Sequence, residues 1–462
     1  MDDDGLRRAR DKMAAEGVHP AAITVFAHYY GVLASGETGV IAEDEIAPVD
    51  DLPRLADVPD DEAAARDALA HTAVVKLNGG LGTSMGMAYA KSLVEVRPGQ
   101  RFLDVIVAQV RALRAAYDVP LPLLFMNSFR TRDDTLAALE AYPDLSVDGL
   151  PLDFLQNFEP KLRADDLTPV EWPADPSLEW CPPGHGDLYT ALVTSGVLER
   201  LRDAGYRYLF VSNSDNLGAH PHPKLAGWFA SLDRPFASEQ CRRTGMDRKG
   251  GHVARRRSDG QLVLRESAQT QAADVEAFRD IQRHRFFNTN NLWLHLDVLA
   301  ERLADTDGVL GLPMIRNAKT VDPTDPSSPD VIQIETAMGA AIGVFEGATA
   351  IEVDRARFLP VKTTSDLLVV RSDAYDLTDG GEVALAPGRT AAPLVTLDPQ
   401  YRLIADFDRR FPHGAPSLVD CERLTVRGDW TFGRDIRVVG DVVVDGDGSG
   451  TIPDGTLLGA PR

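Results

Sequence analysis

The sequence has 462 residues, 44% hydrophobic and 26% charged, enough apolar material for two or three ordinary globular cores. Its formal charge of −22 and pI near 4.8 exclude a general nucleic-acid or anionic-membrane binder, so any anion must be held in a locally arranged pocket. The three cysteines, Cys181, Cys241 and Cys421, are far apart, which excludes a disulfide framework and a paired-cysteine metal site.

Residues 1–45 alternate charged stretches with an apolar patch and read as two amphipathic helices closed by Gly36 and Gly39. The N-terminus lacks an apolar signal core, and no run approaches the roughly 20 apolar residues of a membrane span. A soluble, cytoplasmic protein is expected. The acidic, proline-containing residues 43–61 read as a surface connector.

From about residue 70 to 370 short apolar runs alternate with helical patterns, which predicts a parallel α/β sheet covered on both faces. Strands are expected at 72–77, 122–126, 208–212, 291–296, 348–352 and 367–370. Helices are expected at 102–117, 131–141, 188–204 and 336–345. In such sheets ligands lie beyond the C-terminal ends of the strands.

The first of these strands runs into KLNGGLGTSMGMAYAKS, residues 76–92, with Gly79, Gly80, Gly82 and Gly86 ahead of Lys91. Glycines let the main chain approach an anion and offer it N–H groups, and the lysine adds a point charge. The spacing fits neither the Walker loop nor the dinucleotide fingerprint, because Ala90 precedes Lys91 and Gly86 falls one place late. The alternative is a flexible strand-to-helix turn.

Further along, WCPPGHGDLY (180–189) sets His185 between two glycines, with Asp187 as the expected N-cap of the next helix. His185 could donate to a phosphate or hydroxyl, or could be a histidine buried in a tight turn. FVSNSDNLGA (210–219) delivers Asn213, Asp215 and Asn216 from a strand end, a set that suits Mg²⁺ shared with substrate phosphates. An Asx-rich turn would look the same. The basic residues 242–259 read more readily as a solvated excursion than as a phosphate-facing surface.

FNTNNLWL (287–294) offers Asn288, Asn290 and Asn291 to sugar hydroxyls, or simply forms a turn. Residues 322–330 form a proline-rich loop. FLPVKTTSD (358–366) presents Lys362, either a second charge for phosphoryl chemistry or an ordinary surface lysine. LTVRGDWTFGRDIRVVGDVVVD (424–445) repeats short β runs between glycines, which suits either coils of a β-helix or an antiparallel meander.

Taken together, KLNGGLGTSMG, KSLVEV, MNSFRTRDDT, PPGHGDLY, SNSDNLGA, FNTNNLW, VIQIETAMGAAI, RFLPVKTTSDLL and LTVRGDWTFG resemble the UTP–glucose-1-phosphate uridylyltransferase family, the UDP-glucose pyrophosphorylases typical of eukaryotes. The resemblance runs from about residue 72 to 445. It implies a Rossmann-like, GT-A-like nucleotidyltransferase core with a small C-terminal left-handed β-helix. The expected divisions are a helical segment (1–45), a catalytic domain (46–370) and the β-helix (371–462).

The resemblance also implies transfer of uridylate from UTP to glucose 1-phosphate, with Mg²⁺. Leu77, Asn78, Gly79 and Gly80 would hold the nucleotide, with Gln156 and Gly184, although FLQNFEPK around Gln156 departs from the family's usual segment. Lys91 and Lys362 would act on the phosphates. His185, Asn213 and Asn290 would touch the sugar phosphate, and Asp215 the metal. No nucleic acid or membrane partner is implied, and homo-oligomer contacts would run through the C-terminal domain.

Two departures stand out. Ala88 replaces a loop lysine and Ala90 a proline, which predicts a looser loop, and the chain carries little beyond the first β-helix coils. A relative acting on galactose 1-phosphate or N-acetylglucosamine 1-phosphate is the nearest alternative. A nucleotide-sugar-binding regulator without catalysis is the alternative from another class, and the retention of Lys91, Asp215 and Lys362 speaks against it.

Overall fold

The computed structural model describes residues 4–446 and 448–460. The centre of its main sheet is parallel: Tyr208–Asn213, Thr72–Asn78, Leu123–Asn127 and Asp153–Leu155 lie side by side in that order. Successive side chains of these strands point to opposite faces, and both faces are covered. Val74, Phe125 and Phe210 enter one apolar core, while Val75, Leu124 and Val211 enter the other. That double burial explains why the strands read as uninterrupted apolar runs.

The sheet is not parallel throughout. Phe286–His295 pairs antiparallel with Tyr208–Asn213 on one side and with Phe236–Arg242 on the other. The hairpin His252–Arg256 and Leu262–Arg265 joins the same antiparallel edge. Of the basic residues in 242–259, Arg243 and His252 are buried in the fold, while Arg242, Arg248, Lys249, Arg255 and Arg257 are exposed, in keeping with the expected solvated excursion.

Helices Asp4–Ala15 and Pro20–Ala34 form as expected and pack on Leu162, Met314, Ile332 and Ile334. The predicted helix 188–204 is two helices, Leu188–Thr194 and Val197–Asp203, parted by Gly196 at φ 70°. The predicted strand 367–370 lies inside the helix Thr364–Arg371, which starts on a capping box between Thr363 and Asp366. The predicted helix 336–345 is a strand end followed by the 3₁₀ turn Met338–Gly343. Here buried apolar runs gave the wrong period.

Beyond Arg371 the strands Leu394–Leu397, Cys421–Val426, Arg437–Val444 and Leu457–Gly459 form one ladder with every pair parallel. A second parallel pair joins Asp429–Phe432 to Ser449–Ile452. Parallel pairing rules out the antiparallel meander. No helix among the described residues is long and apolar enough to cross a membrane.

Candidate active site

Three parallel strands end together, with Asn78 opposite Asn127 and Leu77 opposite Asn213. Asn78 is buried and its amide is committed: Nδ2 donates to Asn127 Oδ1 (2.8 Å) and Thr135 Oγ1 (2.9 Å), and Oδ1 accepts from Ser214 Oγ (3.0 Å). Its side chain fastens the strand ends, leaving the backbone of Leu77–Gly80 as the part that can meet a ligand. The Ser214 N–H donates to Leu77 O at 3.1 Å, so the strand carrying Asn213 is tied to the same turn.

Gly79 is held from behind by Ser128 Oγ, which donates to its carbonyl at 2.9 Å. A Cβ at this position would lie 2.5 Å from Gln156 Oε1, so only glycine admits the Gln156 amide against the loop. The loop then closes on itself. Leu81 bridges to Ala90, the Lys91 N–H donates to Gly80 O at 3.4 Å, and Met85 and Met87 are buried. Ala90 is thus a buried closing point, which the expectation of a looser loop did not foresee.

Lys91 reaches across to Asp215, Nζ to Oδ2 at 2.6 Å, with the two side chains 16% and 18% exposed. The Val361 N–H donates to Asp215 O at 3.1 Å, bringing the segment that bears Lys362 to the same loop. Lys362 is exposed, and its N–H and that of Thr363 donate to Asp366 Oδ2 at 2.9 and 2.8 Å. Burial pushes the Glu266 carboxyl up, and the positive charge of Lys362 partly offsets this.

His185 sits against the end of the strand Asp330–Thr336. The Met338 N–H donates to His185 Nδ1 at 3.0 Å. Burial pushes the ring down to about 4, so it is neutral at physiological pH and carries its proton on Nε2, ready to donate. Gly184, at φ 77°, could not carry a side chain, since a Cβ there would lie 2.6 Å from Thr336 O. Asn290 has φ 59°, held by paired bonds with Asn288 at 2.8 and 3.2 Å. Gly339, next to Met338, packs on both asparagines.

Shared neighbours therefore gather Leu77, Asn78, Gly79, Gly80, Gln156, Lys91, Asn213, Asp215 and Lys362 into one group, and Gly184, His185 and Asn290 into another. Asn157 joins the two, its N–H and Nδ2 donating to the Asp187 carboxylate at 2.6 and 2.9 Å. Asp187 makes no helix-capping bond. Burial pushes it up to about 7, against the pull of the Asn157 bonds.

The family model described as UTP–glucose-1-phosphate uridylyltransferase matches residues 24–438. The chain belongs to the UTP–glucose-1-phosphate uridylyltransferase family. The potato uridylyltransferase is 40% identical over 422 residues, covering 90% of this chain and 85% of the relative. The Saccharomyces cerevisiae enzyme is 41% identical over 395 residues, covering 84% and 77%. A Leishmania major UDP-glucose pyrophosphorylase variant, solved with UDP-glucose, superposes with a TM-score of 0.92 at 44% identity, covering 98% of each chain.

Within this uridylyltransferase fold, Asn291 and Asn216, both singled out from the sequence, have side chains spent on the fold. Asn291 is fully buried, donating to Glu239 Oε2 (3.1 Å) and Arg357 O (3.2 Å), so it does not face sugar. Asn216 is equally enclosed, and the Asn78 side chain is committed as described. Sequence reasoning missed Lys76, buried beneath the site, donating to Ser212 Oγ (2.8 Å) and Ala219 O. Burial pushes it down to about 7. The signal was present, a lysine inside an otherwise apolar strand.

Proposed function

We infer that the protein is a uridylyltransferase that converts UTP and glucose 1-phosphate into UDP-glucose and pyrophosphate. The observation that carries this is the Lys91–Asp215 pair at the mouth of three parallel strands, beside a glycine turn closed on itself, in a chain of this family. A phosphate oxygen of glucose 1-phosphate attacks the α-phosphorus of UTP in line and pyrophosphate leaves. That nucleophile is already anionic, so the protein's task is positioning and charge neutralisation rather than proton removal.

In this reading Leu77–Gly80, Gln156 and Gly184 hold the nucleotide, with main-chain N–H groups doing most of the recognition. Lys91 and Lys362 neutralise phosphate charge. His185, neutral and donating from Nε2, contacts the sugar phosphate with Asn213 and Asn290. Asp215 is the residue that would hold Mg²⁺. Among the described residues no three His, Cys, Asp or Glu gather to hold a metal, which suits an ion completed by substrate phosphates and water. When bound, Mg²⁺ would neutralise and orient the phosphates.

Residues 1–45, 46–370 and 371–462 are proposed as helical, catalytic and C-terminal units. The all-parallel C-terminal ladder supports a left-handed β-helix there, with subunit contacts through that unit. The deciding experiment is pyrophosphate release with UTP and Mg²⁺, comparing glucose, galactose and N-acetylglucosamine 1-phosphates. Release at least about tenfold more efficient with glucose 1-phosphate is expected. Equal or faster release with another sugar would change the substrate, and none with any of them would remove the activity.

A further inference from the structure

Asn216 follows the proposed metal-binding aspartate and is 1% exposed. Its amide offers two donors and an acceptor oxygen with two lone pairs, and all are used. Nδ2 donates to Arg357 O at 3.1 Å and to Asn291 Oδ1 at 3.3 Å. Oδ1 accepts the N–H of Leu359 at 2.8 Å and that of Gly218 at 3.2 Å. These partners come from three separate parts of the chain. Gly218 belongs to the loop of Asp215, Leu359 and Arg357 to the segment that ends in Lys362, and Asn291 to the strand Phe286–His295.

The junction has no slack. Asn216 also bridges through its backbone to Pro360, and Val361 donates to Asp215 O at 3.1 Å. A Cβ on Gly218 would collide with Ala356 O and the Arg357 backbone, so the two segments lie in direct contact. Residues 216–218 and 358–362 lie outside any helix or long strand, beyond the short 3₁₀ turn Arg355–Arg357, and regular secondary structure does not fix their spacing. The Asn216 amide ties them together from within, beside these backbone contacts.

We propose that Asn216 is the positioning residue that sets Lys362 against Asp215, so that the two charged groups act on the phosphates as a unit. The inference rests on the role given above to Lys362. An amide is required because the site presents two acceptors and two donors, a pattern that no apolar or singly polar side chain of that size satisfies. Removing it takes their partner from the buried Leu359 and Gly218 N–H groups and from Asn291 Oδ1 and lets the Lys362 segment drift, and misplacement on the order of 1 Å is enough to lower turnover strongly.

The test is a double-mutant cycle on the full chain, reading kcat and KM for pyrophosphate release in wild type, Asn216→Ala, Lys362→Ala and the double variant, with each unfolding midpoint recorded. Asn216→Ala is expected to lower kcat by about tenfold or more while KM for UTP and for glucose 1-phosphate stays within about twofold. In the Lys362→Ala background the same change is expected to cost less than about threefold, because residues acting as one unit are not additive. Losses that multiply across the cycle would overturn the proposal, as would an unchanged kcat in Asn216→Ala. A wild-type kcat in Lys362→Ala would instead remove the role of Lys362, a separate and distinguishable failure. Should Asn216→Ala not fold, Asn216→Asp, which keeps the acceptors for Leu359 and Gly218, carries the same cycle under the same criteria.

Discussion

Two ion pairs of equal length stand a short way apart in this molecule. Lys91 meets Asp215 at 2.6 Å with side chains 16% and 18% exposed, and Arg357 meets Glu239 at 2.6 Å with side chains 6% and 0% exposed. Glu239 accepts in addition from Trp293 Nε1 (3.0 Å) and Asn291 Nδ2 (3.1 Å), while Arg357 makes a second bond to Glu239 (2.9 Å) and one to His220 O (2.8 Å). The buried pair is fixed by several further partners, with only Arg357 Nη1 left without one among the described residues. The rim pair keeps access to water and can trade partners for a phosphate at modest cost. Separation alone does not tell a structural pair from a working one; desolvation and the number of other bonds do.

The most severe way to challenge this contrast is Glu239→Gln, which leaves the Arg357 charge buried and uncompensated. It is expected to destabilise the fold by about 3–5 kcal/mol, read as a lower urea midpoint. An unchanged midpoint would erase the distinction. Lys91→Ala is expected to do the reverse, lowering kcat on the order of 10²-fold or more while the unfolding free energy from urea titration moves by less than about 1 kcal/mol. A variant that unfolds instead would place Lys91 with the structural pair.

A smaller effect is expected from Gly184→Ala. Its φ of 77° and the nearby Thr336 carbonyl should cost about 1–3 kcal/mol, and the Thr336–Met338 backbone that holds His185 should shift. The readout is a raised KM for UTP and, through the shifted His185, for glucose 1-phosphate, and unchanged values of both would detach Gly184 from the site. The smallest concerns pH. The folded-state pKa of His185 lies below its unfolded value, near 4 rather than 6.5. As pH falls from 6.5 toward 4 the unfolded chain takes up a proton that the folded chain refuses, so folding stability should drop across that window. His185→Gln should flatten this slope, and equal slopes would show that His185 is not buried as described.

Much of this was legible in the chain. Buried parallel strands announce themselves as unbroken apolar runs, and chemistry-bearing residues cluster where such runs stop, so the neighbourhoods of Asn78, Asp215 and His185 could be found without coordinates. What could not be read was which polar groups in those clusters face inward. Asp215 and Asn216 are adjacent and look alike as candidates, yet one is at the rim and the other is enclosed by four bonds, three of them to distant segments. The buried Glu239 and Arg357 gave no local pattern, because each is explained only by the other. The helix Thr364–Arg371 was misread as a strand for a related reason: its apolar run is short and buried, and only the Thr363–Asp366 capping box distinguished it.

Met85 and Met87 of the glycine loop share an apolar cluster with Phe407, Phe411, Leu424 and Phe432, and Leu403 packs on Gly86. Part of the floor beneath the loop is therefore supplied by residues more than three hundred positions later in the sequence. During synthesis the loop has no completed support until those late residues have left the ribosome. A chain interrupted before that point would hold every strand of the central sheet and still lack part of the packing beneath the glycine loop.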